Sequence, residues 1–533
     1  MQLVIPMSGI GQRFIKAGYK TPKPLLEVEK KPIIEHVCNM FKDVESIVFI
    51  CNKNHLEDPS IKMAQKIHKI NSRAKIVSID PHKSGPVFAV LKSLEFLDLN
   101  LPTIVNYCDF NCIWDFKRFK EHVKETNCDG CVVTYTGFHP HMLDNVNYAY
   151  IKINNFQITD IQEKKPFTPN PMNENASCGM YYFKSAQIMK KYFYKTIEED
   201  LSVNNEFYVS LSFKPMIKDN LKLNNFNIKY FMQWGTPIDF EEYKWFSELF
   251  KKKITNKSRN LFFNGTVLIP CAGIGKRFSD AGYLIPKPLV DVSNKPMLLQ
   301  AINDLPISKK LKIILRKNTI KKDLLTKNIN QEFRNADIKF IDSETDGQAS
   351  TCLLGLEEND LNKPLLISAC DNGLIYDQSK FYELTNDSSI DIVVWGCRNY
   401  PGARKKPQMY GWIQEEENLI KKVFVKKPYK DLEKDPIVTG TFFFKEAKLF
   451  KRIAQDMIKN NQRINNEFYV DSCINNAIDL GLKVVLLEVD FFLCWGTPDD
   501  LKTYQYWQNC FDEWDQHPYK KNIDIDFENK LER

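Results

Sequence analysis

The stretch IPMSGIGQRFIKAGYKTPKPLLEV (Ile5–Val28) recurs as IPCAGIGKRFSDAGYLIPKPLVDV (Ile269–Val292) within a chain of 533 residues. Each copy runs from an apolar segment through a glycine-rich loop to a lysine between prolines. Equivalent positions, such as Gly9 and Gly273, lie 264 residues apart. The units of solenoid proteins are far shorter than this, so the repeat indicates the duplication of a whole domain.

Four shorter matches follow in the same order in both halves. They are NYCDFN with SACDNG, EKKP with VKKP, NNEFYV with itself, and QWGTPIDF with CWGTPDDL, and the offset drifts only from 264 to 261 residues. A chain of this length also exceeds the usual size of one hydrophobic core. We therefore predict two tandem domains at residues 1–253 and 264–510, a linker at 254–263 and a polar tail at 511–533.

Within each half, apolar runs typical of strands alternate with runs of helical spacing. Examples are the strand-like LVIPM and SIVFICN and the helix-like KPIIEHVCNMF, which has Pro32 near its start. This alternation predicts an α/β fold with mostly parallel, mixed sheets. Ligands of such sheets bind beyond the carboxyl ends of the strands. The glycine loops, and an aspartate in each half (Asp109 and Asp371), follow such strands.

The two loops carry glycines and an arginine at matching positions: Gly9, Gly11 and Arg13, and Gly273, Gly275 and Arg277. Glycines after a strand let backbone N–H groups face a phosphate, and arginine adds a bidentate grip. A dinucleotide fingerprint would need a third glycine, where Phe14 and Phe278 stand, and the Ser/Thr of a P-loop is also missing. By itself the loop is equally consistent with a plain tight turn.

The prolines around Lys23 and Lys287 stiffen the backbone, so each lysine loses little entropy when it holds a phosphate. A single solvent-facing lysine in a turn would be unremarkable. Two copies at the same distance from a glycine loop favour phosphate binding.

Together these motifs resemble the sugar nucleotidyltransferase family, also called NDP-sugar pyrophosphorylases, over about residues 1–250 and 265–507. The resemblance implies two GT-A-like, Rossmann-type domains. It implies transfer of a nucleotidyl group from an NTP to a sugar 1-phosphate or related phosphorylated acceptor, with Mg²⁺ as cofactor and release of pyrophosphate. Such a reaction would supply nucleotide sugars for glycan synthesis.

The resemblance also implies roles for individual residues. Those expected to hold the NTP are Arg13, Lys23, Arg277 and Lys287 at the phosphates, the loop glycines Gly9, Gly11, Gly273 and Gly275, and Gly85, Gly347 and Gln348 near the nucleobase. Asp109 and Asp371 would bind the metal. Glu163 would contact the sugar, and Lys164 and its counterpart Lys426 the acceptor phosphate.

The reaction itself explains these residue types. One anionic phosphate must attack another, so cations are needed to offset their repulsion and the charge of the leaving pyrophosphate. Mg²⁺ is usually held by one or two carboxylates together with phosphate oxygens. The nucleophile is already ionised, so the reaction needs no base, in keeping with motifs that lack a shared histidine.

The chain departs from the family pattern in two respects. Gln233 and Cys494 stand where the family usually has a second metal-binding aspartate, and the acids that follow, such as Asp239 and Asp500, are better explained as helix N-terminal residues. The copies also differ from each other. Glu163 is matched by Val425, and Gln348 by Pro86, so either one copy has lost catalysis or the copies use different substrates.

Three alternatives remain open. One is a cytidylyltransferase for a non-sugar phosphate, and another is a nucleotide-binding protein in which one or both sites are inactive. A third is a GT-A glycosyltransferase, which would be expected to have a DxD motif at the strand ends, but the chain has one only at Asp524–Asp526.

Glu206 and Glu467 of the NNEFYV motifs either contact the acceptor or belong to a capping segment followed by core aromatics.

The net charge of +7 permits anionic ligands without requiring nucleic acid, and the basic run Phe250–Arg259 fits a solvated linker.

The sequence predicts a reduced, cytoplasmic protein. Its fourteen cysteines lie mostly in apolar runs, and it has no signal-like or membrane-spanning run. The CxxC of Cys128 and Cys131 lacks a second pair for a zinc site. We expect small phosphorylated substrates as partners, and either paired domains in one chain or a homo-oligomer.

Overall fold

The computed structural model describes residues 1–255, 261–334 and 336–523. The chain forms two compact units. The first contains Met1–Lys244 and Cys510–Pro518, and the second contains Trp245–Asn509 and the described residues from Tyr519 onward.

The first half contains thirteen strands and nine helices within the described chain. The strands are β1 (Gln2–Met7), β2 (Glu27–Val28), β3 (Lys31–Pro32), β4 (Ser46–Asn52), β5 (Lys75–Ile79), β6 (Thr103–Asn106), β7 (Phe110–Ile113), β8 (Gly130–Tyr135), β9 (Ala149–Asn154), β10 (Gln157–Glu163), β11 (Asn175–Phe183), β12 (Leu223–Asn227) and β13 (Tyr230–Gln233). The helices are α1 (Gln12–Lys16), α2 (Ile33–Asn39), α3 (Lys53–Glu57), α4 (Met63–Ile70), α5 (Pro86–Leu91), α6 (Phe116–Thr126), α7 (Ala186–Glu198), α8 (Phe213–Lys218) and α9 (Pro237–Thr255).

The main sheet of the first unit has nine strands. Its amino-terminal part is parallel, because β1 pairs with β4 and β6, and β4 pairs with β5, all in parallel. The long strand β11 then pairs antiparallel with β6, β8 and β9, and β12 is parallel to β8. Strands such as β1 are buried along their whole length, as expected for a sheet covered on both faces.

The second half repeats this series of elements. Its strands are β14 (Phe262–Cys271), β15 (Asp291–Val292), β16 (Lys295–Pro296), β17 (Ile307–Arg316), β18 (Ala336–Ile341), β19 (Leu365–Ser368), β20 (Asn372–Ile375), β21 (Ile392–Cys397), β22 (Trp412–Glu416), β23 (Leu419–Phe424), β24 (Ile437–Phe444), β25 (Val484–Glu488) and β26 (Phe491–Cys494). Its helices are α10 (Lys276–Asp280), α11 (Met297–Asn303), α12 (Lys322–Glu332), α13 (Gln348–Leu354), α14 (Gln378–Asn386), α15 (Pro401–Lys405), α16 (Ala447–Lys459), α17 (Val470–Asp479) and α18 (Pro498–Glu513).

The main sheet of the second unit is also nine-stranded, in the order β18-β17-β14-β19-β24-β21-β25-β23-β22. The strands β18, β17, β14 and β19 are parallel, and β24 is antiparallel to both β19 and β21. The predicted α/β class with mixed sheets is confirmed. The parallel strands form the amino-terminal part of each sheet, and β11 and β24 begin the mixed part.

The predicted domain limits differ in detail from the observed elements. Helix α9 extends to Thr255, strand β14 begins at Phe262, and Phe511 and Trp514 of the supposed tail are buried with the first unit. Part of the predicted linker, at 256–260, and the tail from 524 onward, with Asp524 and Asp526, lie outside the described residues, so the limits remain a prediction. Among the described helices, none combines the length and hydropathy that a membrane span requires.

Candidate active site

The glycine-rich loops turn the chain sharply after the first strand of each unit. Gly11 precedes α1 with φ 71°, and Gly275 precedes α10 with φ 69°. These are left-handed backbone conformations, which glycine adopts without steric cost. A Cβ on Gly275 would lie 3.1 Å from the Cβ of Lys287, so the glycine also lets the loop approach the lysine closely.

Lys23 and Lys287 each face an aspartate at the end of a central strand. Lys23 lies in the turn before β2, and its Nζ is 2.7 Å from Oδ2 of Asp109, just after β6. In the second unit, Nζ of Lys287 is 2.5 Å from Oδ2 of Asp371, and it also donates a hydrogen bond of 2.9 Å to the carbonyl of Gly496. Both units therefore build the same ion pair.

The ion pairs determine the charge of the lysines. Burial disfavours the ammonium form of Lys23, but the Asp109 carboxylate outweighs it and leaves the pKa of Lys23 raised. The pKa of Lys287 is raised in the same way by Asp371 against the effect of burial. Both side chains are therefore charged at neutral pH, as the binding of a phosphate requires.

The WGTP segments lie directly against these carboxylates. The backbone N–H of Trp234 donates to the carbonyl of Asp109 at 3.0 Å, and Trp495 does the same to Asp371 at 3.0 Å. A Cβ on Gly235 would lie 2.8 Å from Oδ2 of Asp109, so glycine leaves the space next to the carboxylate open. The backbone hydrogen bond to the aspartate is therefore common to both halves.

The acids that follow the WGTP segments begin helices. Thr236 precedes α9; its hydroxyl is 2.6 Å from Oδ2 of Asp239 and accepts a hydrogen bond of 3.2 Å from the Asp239 N–H. At α18 the Thr497 hydroxyl is likewise 2.6 Å from Oδ2 of Asp500 and accepts a hydrogen bond of 3.2 Å from the Asp500 N–H. Each threonine hydroxyl thus caps the backbone N–H of the third helical residue, and proline occupies the first helical position. The interpretation of these acids as helix N-terminal residues is confirmed.

The loops expected near the nucleobase are tied to the NNEFYV segments. Gly85 precedes α5 with φ 86°, and the Phe207 N–H donates to the carbonyl of Ser84 at 3.0 Å. In the second unit Gly347 precedes α13 with φ 126°, and the Phe468 N–H donates to the Asp346 carbonyl at 2.8 Å. A Cβ on either glycine would lie 2.5–2.6 Å from a phenylalanine nitrogen. Each loop can therefore seat against its partner segment only with glycine.

The paired asparagines of NNEFYV form a tight turn. Asn204 and Asn205 have φ of 55° and 62°, and Val203 bridges to Glu206; Asn465 and Asn466 repeat this with 49° and 65°. Asparagine tolerates the left-handed region better than most residues. The second copy of the segment leads directly into α17, whose N-cap is Tyr469, while the asparagines themselves form the turn before it. A contact of Glu206 or Glu467 with the acceptor stays a prediction.

The turn places Glu206 and Tyr208 next to Lys164. The Tyr208 hydroxyl donates to the Glu206 carboxylate, and Nζ of Lys164 lies 2.5 Å from the Tyr208 oxygen and 4.4 Å from the centre of its ring. Lys164 has a φ of 56°, and its counterpart Lys426 has 57°. The backbone conformation at this lysine is therefore the same in both units.

Glu163 lies beside this group. Its Oε2 accepts a hydrogen bond of 2.6 Å from the Ser210 hydroxyl. Burial raises the pKa of Glu163 to about 7, although Ser210 and Lys164 act in the opposite direction. A carboxyl group with a raised pKa in a cleft is typical of a functional site.

The corresponding lysine of the second unit has a different environment. Lys426 donates to the carbonyl of Met409 at 2.5 Å, and its Nζ lies 5.5 Å from the centre of the Tyr469 ring. Burial lowers the pKa of Lys426, against the opposing charge of Asp471. The fields of Arg277 and Asp371 also reach Lys426, so these three predicted residues lie near one another.

Two adjoining cavities gather the predicted residues of the first unit. The loop-side cavity, of about 290 Å³, is lined by Gly9, Gly11, Lys23, Gly85 and Asp109, among others. The sheet-side cavity, of about 230 Å³, is lined by Arg13, Asp109, Glu163 and Lys164, among others. Both cavities share Asp109, Tyr107 and Tyr208. All eight site residues predicted for this half therefore line one continuous cleft around Asp109.

Sequence reasoning missed several residues of this cleft. Tyr107, Ser177, Tyr181 and Tyr208 line the sheet-side cavity, and His82 lines the loop-side cavity. The tyrosines resemble core residues in the sequence, and His82 has no counterpart motif. Only the NNEFYV repeat carried a signal, since it recurs with its tyrosine in both halves.

The donor chemistry at Asp109 and Asp371 fits Mg²⁺ bound by one carboxylate together with phosphate oxygens. The side chains of Asp109 and Asp371 are partly exposed, at 23% and 28%, so both carboxylates are accessible. Among the described residues no group of three or more His, Cys, Asp or Glu side chains forms a metal cage. A site completed by the ligand's phosphates is the usual arrangement for Mg²⁺.

Comparison with known proteins agrees with this geometry. The profile of the nucleotidyl transferase family matches residues 3–242 and again residues 266–491. The chain belongs to this family and carries it in two tandem copies. The predicted resemblance and the GT-A-like fold of both copies are confirmed. No curated protein matches the chain significantly.

Solved structures resemble single halves of the chain. A nucleoside-diphosphate-sugar pyrophosphorylase from Vibrio cholerae is 20% identical, covers 45% of this chain and 97% of its own, and gives a TM-score of 0.37. A putative glucose-1-phosphate thymidylyltransferase from Bacillus anthracis is 18% identical, covers 45% and 93%, and gives 0.36. The inositol-1-phosphate CTP transferase from T. maritima is 15% identical, covers 46% and 98%, and gives 0.36.

Proposed function

We propose that the protein is a nucleotidyltransferase that transfers NMP from an NTP to a sugar 1-phosphate or a related phosphorylated acceptor. The observation that carries the proposal is the arrangement around Asp109. Lys23 pairs with this carboxylate on the loop side, and Lys164 lines the same cleft on the sheet side. A cleft with cations on both sides of one carboxylate suits two anionic substrates that react with each other.

The reaction balances without a proton transfer. A phosphate oxygen of the acceptor attacks the α-phosphorus of the NTP, and a new P–O–P bond forms. The bond from the α-phosphorus to the oxygen that bridges to the β-phosphorus breaks, and its electron pair leaves with pyrophosphate. Catalysis then consists mainly of orienting the two phosphates and stabilising their charge.

The residues divide this work between the two cavities. On the loop side, the turn at Gly11 and the Lys23 ammonium bind the triphosphate, and the loop at Gly85 borders the nucleobase. On the sheet side, Lys164 binds the acceptor phosphate and Glu163 a hydroxyl of the acceptor. In the second unit Lys287 and Lys426 take the corresponding roles.

Mg²⁺ would be held by Asp109 in the first unit and by Asp371 in the second, where it would offset phosphate charge. Release of Lys23 from Asp109 frees the ammonium for the phosphate oxygens. Cytoplasmic location remains a prediction from the sequence.

The test is pyrophosphate release with each of the four NTPs, combined with sugar 1-phosphates and other phosphorylated acceptors. Lys23→Ala and Lys287→Ala are measured singly and together. We expect each single variant to remove the turnover of its own half, mainly through kcat, and the double variant to be inactive. Lys20→Ala, at an exposed lysine three positions before Lys23, serves as the matched control and retains full activity.

The outcomes separate the alternatives. Pyrophosphate release only with a non-sugar phosphate and CTP identifies a cytidylyltransferase of that kind. No release with any pair, while nucleotide still binds, identifies a non-catalytic binding protein and contradicts the proposal.

A further inference from the structure

Positions 163 and 210 face each other in the first unit. Glu163 ends β10, Ser210 follows the NNEFYV segment, and the serine hydroxyl donates to Oε2 of Glu163 at 2.6 Å. Glu163 lines the sheet-side cavity, and Ser210, which is buried, contacts it directly. A carboxylate introduced at either position would reach the same region.

In the second unit the carboxylate stands at the other of these two positions. The EKKP and VKKP motifs align Glu163 with Val425, and the NNEFYV motifs align Ser210 with Asp471. Val425 packs against the apolar core of the second unit. The carboxylate missing from the strand side thus reappears on the opposite side, in the first turn of α17.

Asp471 has the same lysine neighbour as Glu163. The charge of Lys426 acts on it, as that of Lys164 acts on Glu163. A Cβ on Gly411 would lie 2.5 Å from Oδ2 of Asp471, so glycine leaves room for the carboxylate. Among the described residues, no other side chain forms a hydrogen bond or ion pair with Asp471. Its carboxylate, which burial partly removes from water, therefore has no fixed side-chain partner.

The positions around the carboxylate differ between the units. In the first unit Tyr107, Ser177 and Tyr181 line the cavity, and the Ser177 hydroxyl lies 3.0 Å from that of Tyr181. Their counterparts in the aligned second unit are Ala369, Val438 and Phe442. Strand pairing confirms this alignment, since Tyr181 pairs with Val105 and Phe442 with Ile367 at equivalent points of β6 and β19. Three side chains with hydroxyl groups are thus replaced by three apolar ones.

We propose that Asp471 is the acceptor-binding carboxylate of the second unit, and that this unit uses a phosphorylated acceptor with fewer hydroxyl groups than the acceptor of the first unit. The inference rests on the proposed nucleotidyl transfer. It implies that the second unit is active and that Val425 marks a change of substrate. One carboxylate against an apolar surface can satisfy one or two hydroxyl groups, whereas further buried hydroxyls would lack partners.

The experiment isolates each unit in the full chain. Lys23→Ala leaves the second unit to be measured, and Lys287→Ala leaves the first. In the Lys23→Ala chain, we expect Asp471→Asn to raise the acceptor KM by about tenfold or more, as for the loss of one charge-assisted hydrogen bond, with the KM for NTP unchanged. Glu163→Gln should leave the acceptor KM of that chain unchanged. In the Lys287→Ala chain, Glu163→Gln should raise the acceptor KM and Asp471→Asn should leave it unchanged.

Acceptor preference is measured with glucose 1-phosphate, fucose 1-phosphate, which lacks one hydroxyl, and glycerol 3-phosphate. We expect the ratio of kcat/KM for the hydroxyl-poor acceptors to that for glucose 1-phosphate to be higher in the Lys23→Ala chain. The pair Val425→Glu and Asp471→Ser, introduced together, rebuilds the Glu163–Ser210 contact. It should restore acceptor binding that Asp471→Ser alone removes.

The results distinguish the two levels of the argument. If the Lys23→Ala chain turns over and Asp471→Asn leaves every acceptor KM unchanged, the role of Asp471 is wrong while the proposed function stands. Equal acceptor preference in both chains overturns the difference in substrate. If the Lys23→Ala chain releases no pyrophosphate while the Lys287→Ala chain does, the second unit is inactive and the inference fails. If neither chain nor the wild type releases pyrophosphate, the proposed function itself fails.

Discussion

Nζ of Lys23 lies 2.7 Å from Oδ2 of Asp109, although 86 positions separate the two residues in the chain. The pair joins the turn before β2 to the end of β6, at the carboxyl edge of the parallel strands. Lys287 and Asp371 repeat it in the second unit. Two copies of one ion pair, each next to a glycine-rich loop, define the centre of the proposed sites.

Asp109→Asn should abolish the metal-dependent turnover of the first unit. In the Lys287→Ala chain we expect kcat to fall by about a hundredfold or more, since an amide neither neutralises nor holds Mg²⁺ well. The measurement is pyrophosphate release during a Mg²⁺ titration, with EDTA as the metal-free reference. Asp200→Asn, at an exposed position, is the control. An unaltered Mg²⁺ dependence in Asp109→Asn would exclude this carboxylate as the ligand.

Gly85→Ala should destabilise the first unit more than Gly137→Ala does. Both glycines have nearly the same φ, 86° and 85°, but a Cβ at 85 would lie 2.6 Å from the Phe207 nitrogen, whereas one at 137 meets nothing within 4 Å. Gly137→Ala should cost about 1–2 kcal/mol from backbone strain alone. Gly85→Ala should cost more and weaken nucleotide binding. Thermal unfolding and equilibrium nucleotide binding test this, and equal Tm values for the two variants would contradict it.

Glu163 should make the stability of the first unit depend on pH. Burial raises the pKa of Glu163 from 4.5 to about 7, so between these values the folded chain binds a proton that the unfolded chain has released. Stability therefore falls as pH rises from about 4.5 to about 7 and then levels off. Glu163→Gln has no carboxyl group at this position, so its Tm should not show this fall. The difference between the Tm of Glu163→Gln and that of the wild type should therefore increase as pH rises over this range.

The same titration should affect acceptor binding. The ionised carboxylate is the better acceptor of a hydroxyl hydrogen bond, so in the Lys287→Ala chain the acceptor KM should fall as pH rises through about 7. In Glu163→Gln it should be flat. A pH-dependent KM that persists in Glu163→Gln would assign the titration to another group.

Thr236→Ala should destabilise α9 by about 1 kcal/mol, because it removes the hydroxyl that accepts from the Asp239 N–H. Thr236→Ser keeps the hydroxyl and should unfold close to the wild-type temperature. Thermal unfolding of the two variants provides the measurement. Similar losses in both would show that the methyl group, rather than the cap, stabilises this helix.

Much of the fold could be predicted because it rests on local patterns. SIVFICN (46–52) coincides with β4, and the apolar run before Asp109 contains β6. Boundaries were harder to predict. The spacing of FAVLKSLEFL (88–97) predicts one helix, but α5 ends at Leu91 and a separate helical turn follows at Leu94–Phe96. Trp514 was assigned to a polar tail because its burial depends on residues distant in sequence, such as Trp234.

The sequence by itself determined the duplication, the glycine-rich loops and the acids that follow the central strands, because repeated motifs and residue periodicity are written in the order of residues. Only the tertiary structure decided which of these residues meet. Glu163 contacts Ser210 only because two segments 47 positions apart come together. The same packing places Val425 and Asp471 at the equivalent positions of the second unit. Such contacts arise from how strands and helices pack in three dimensions, and no local pattern encodes them.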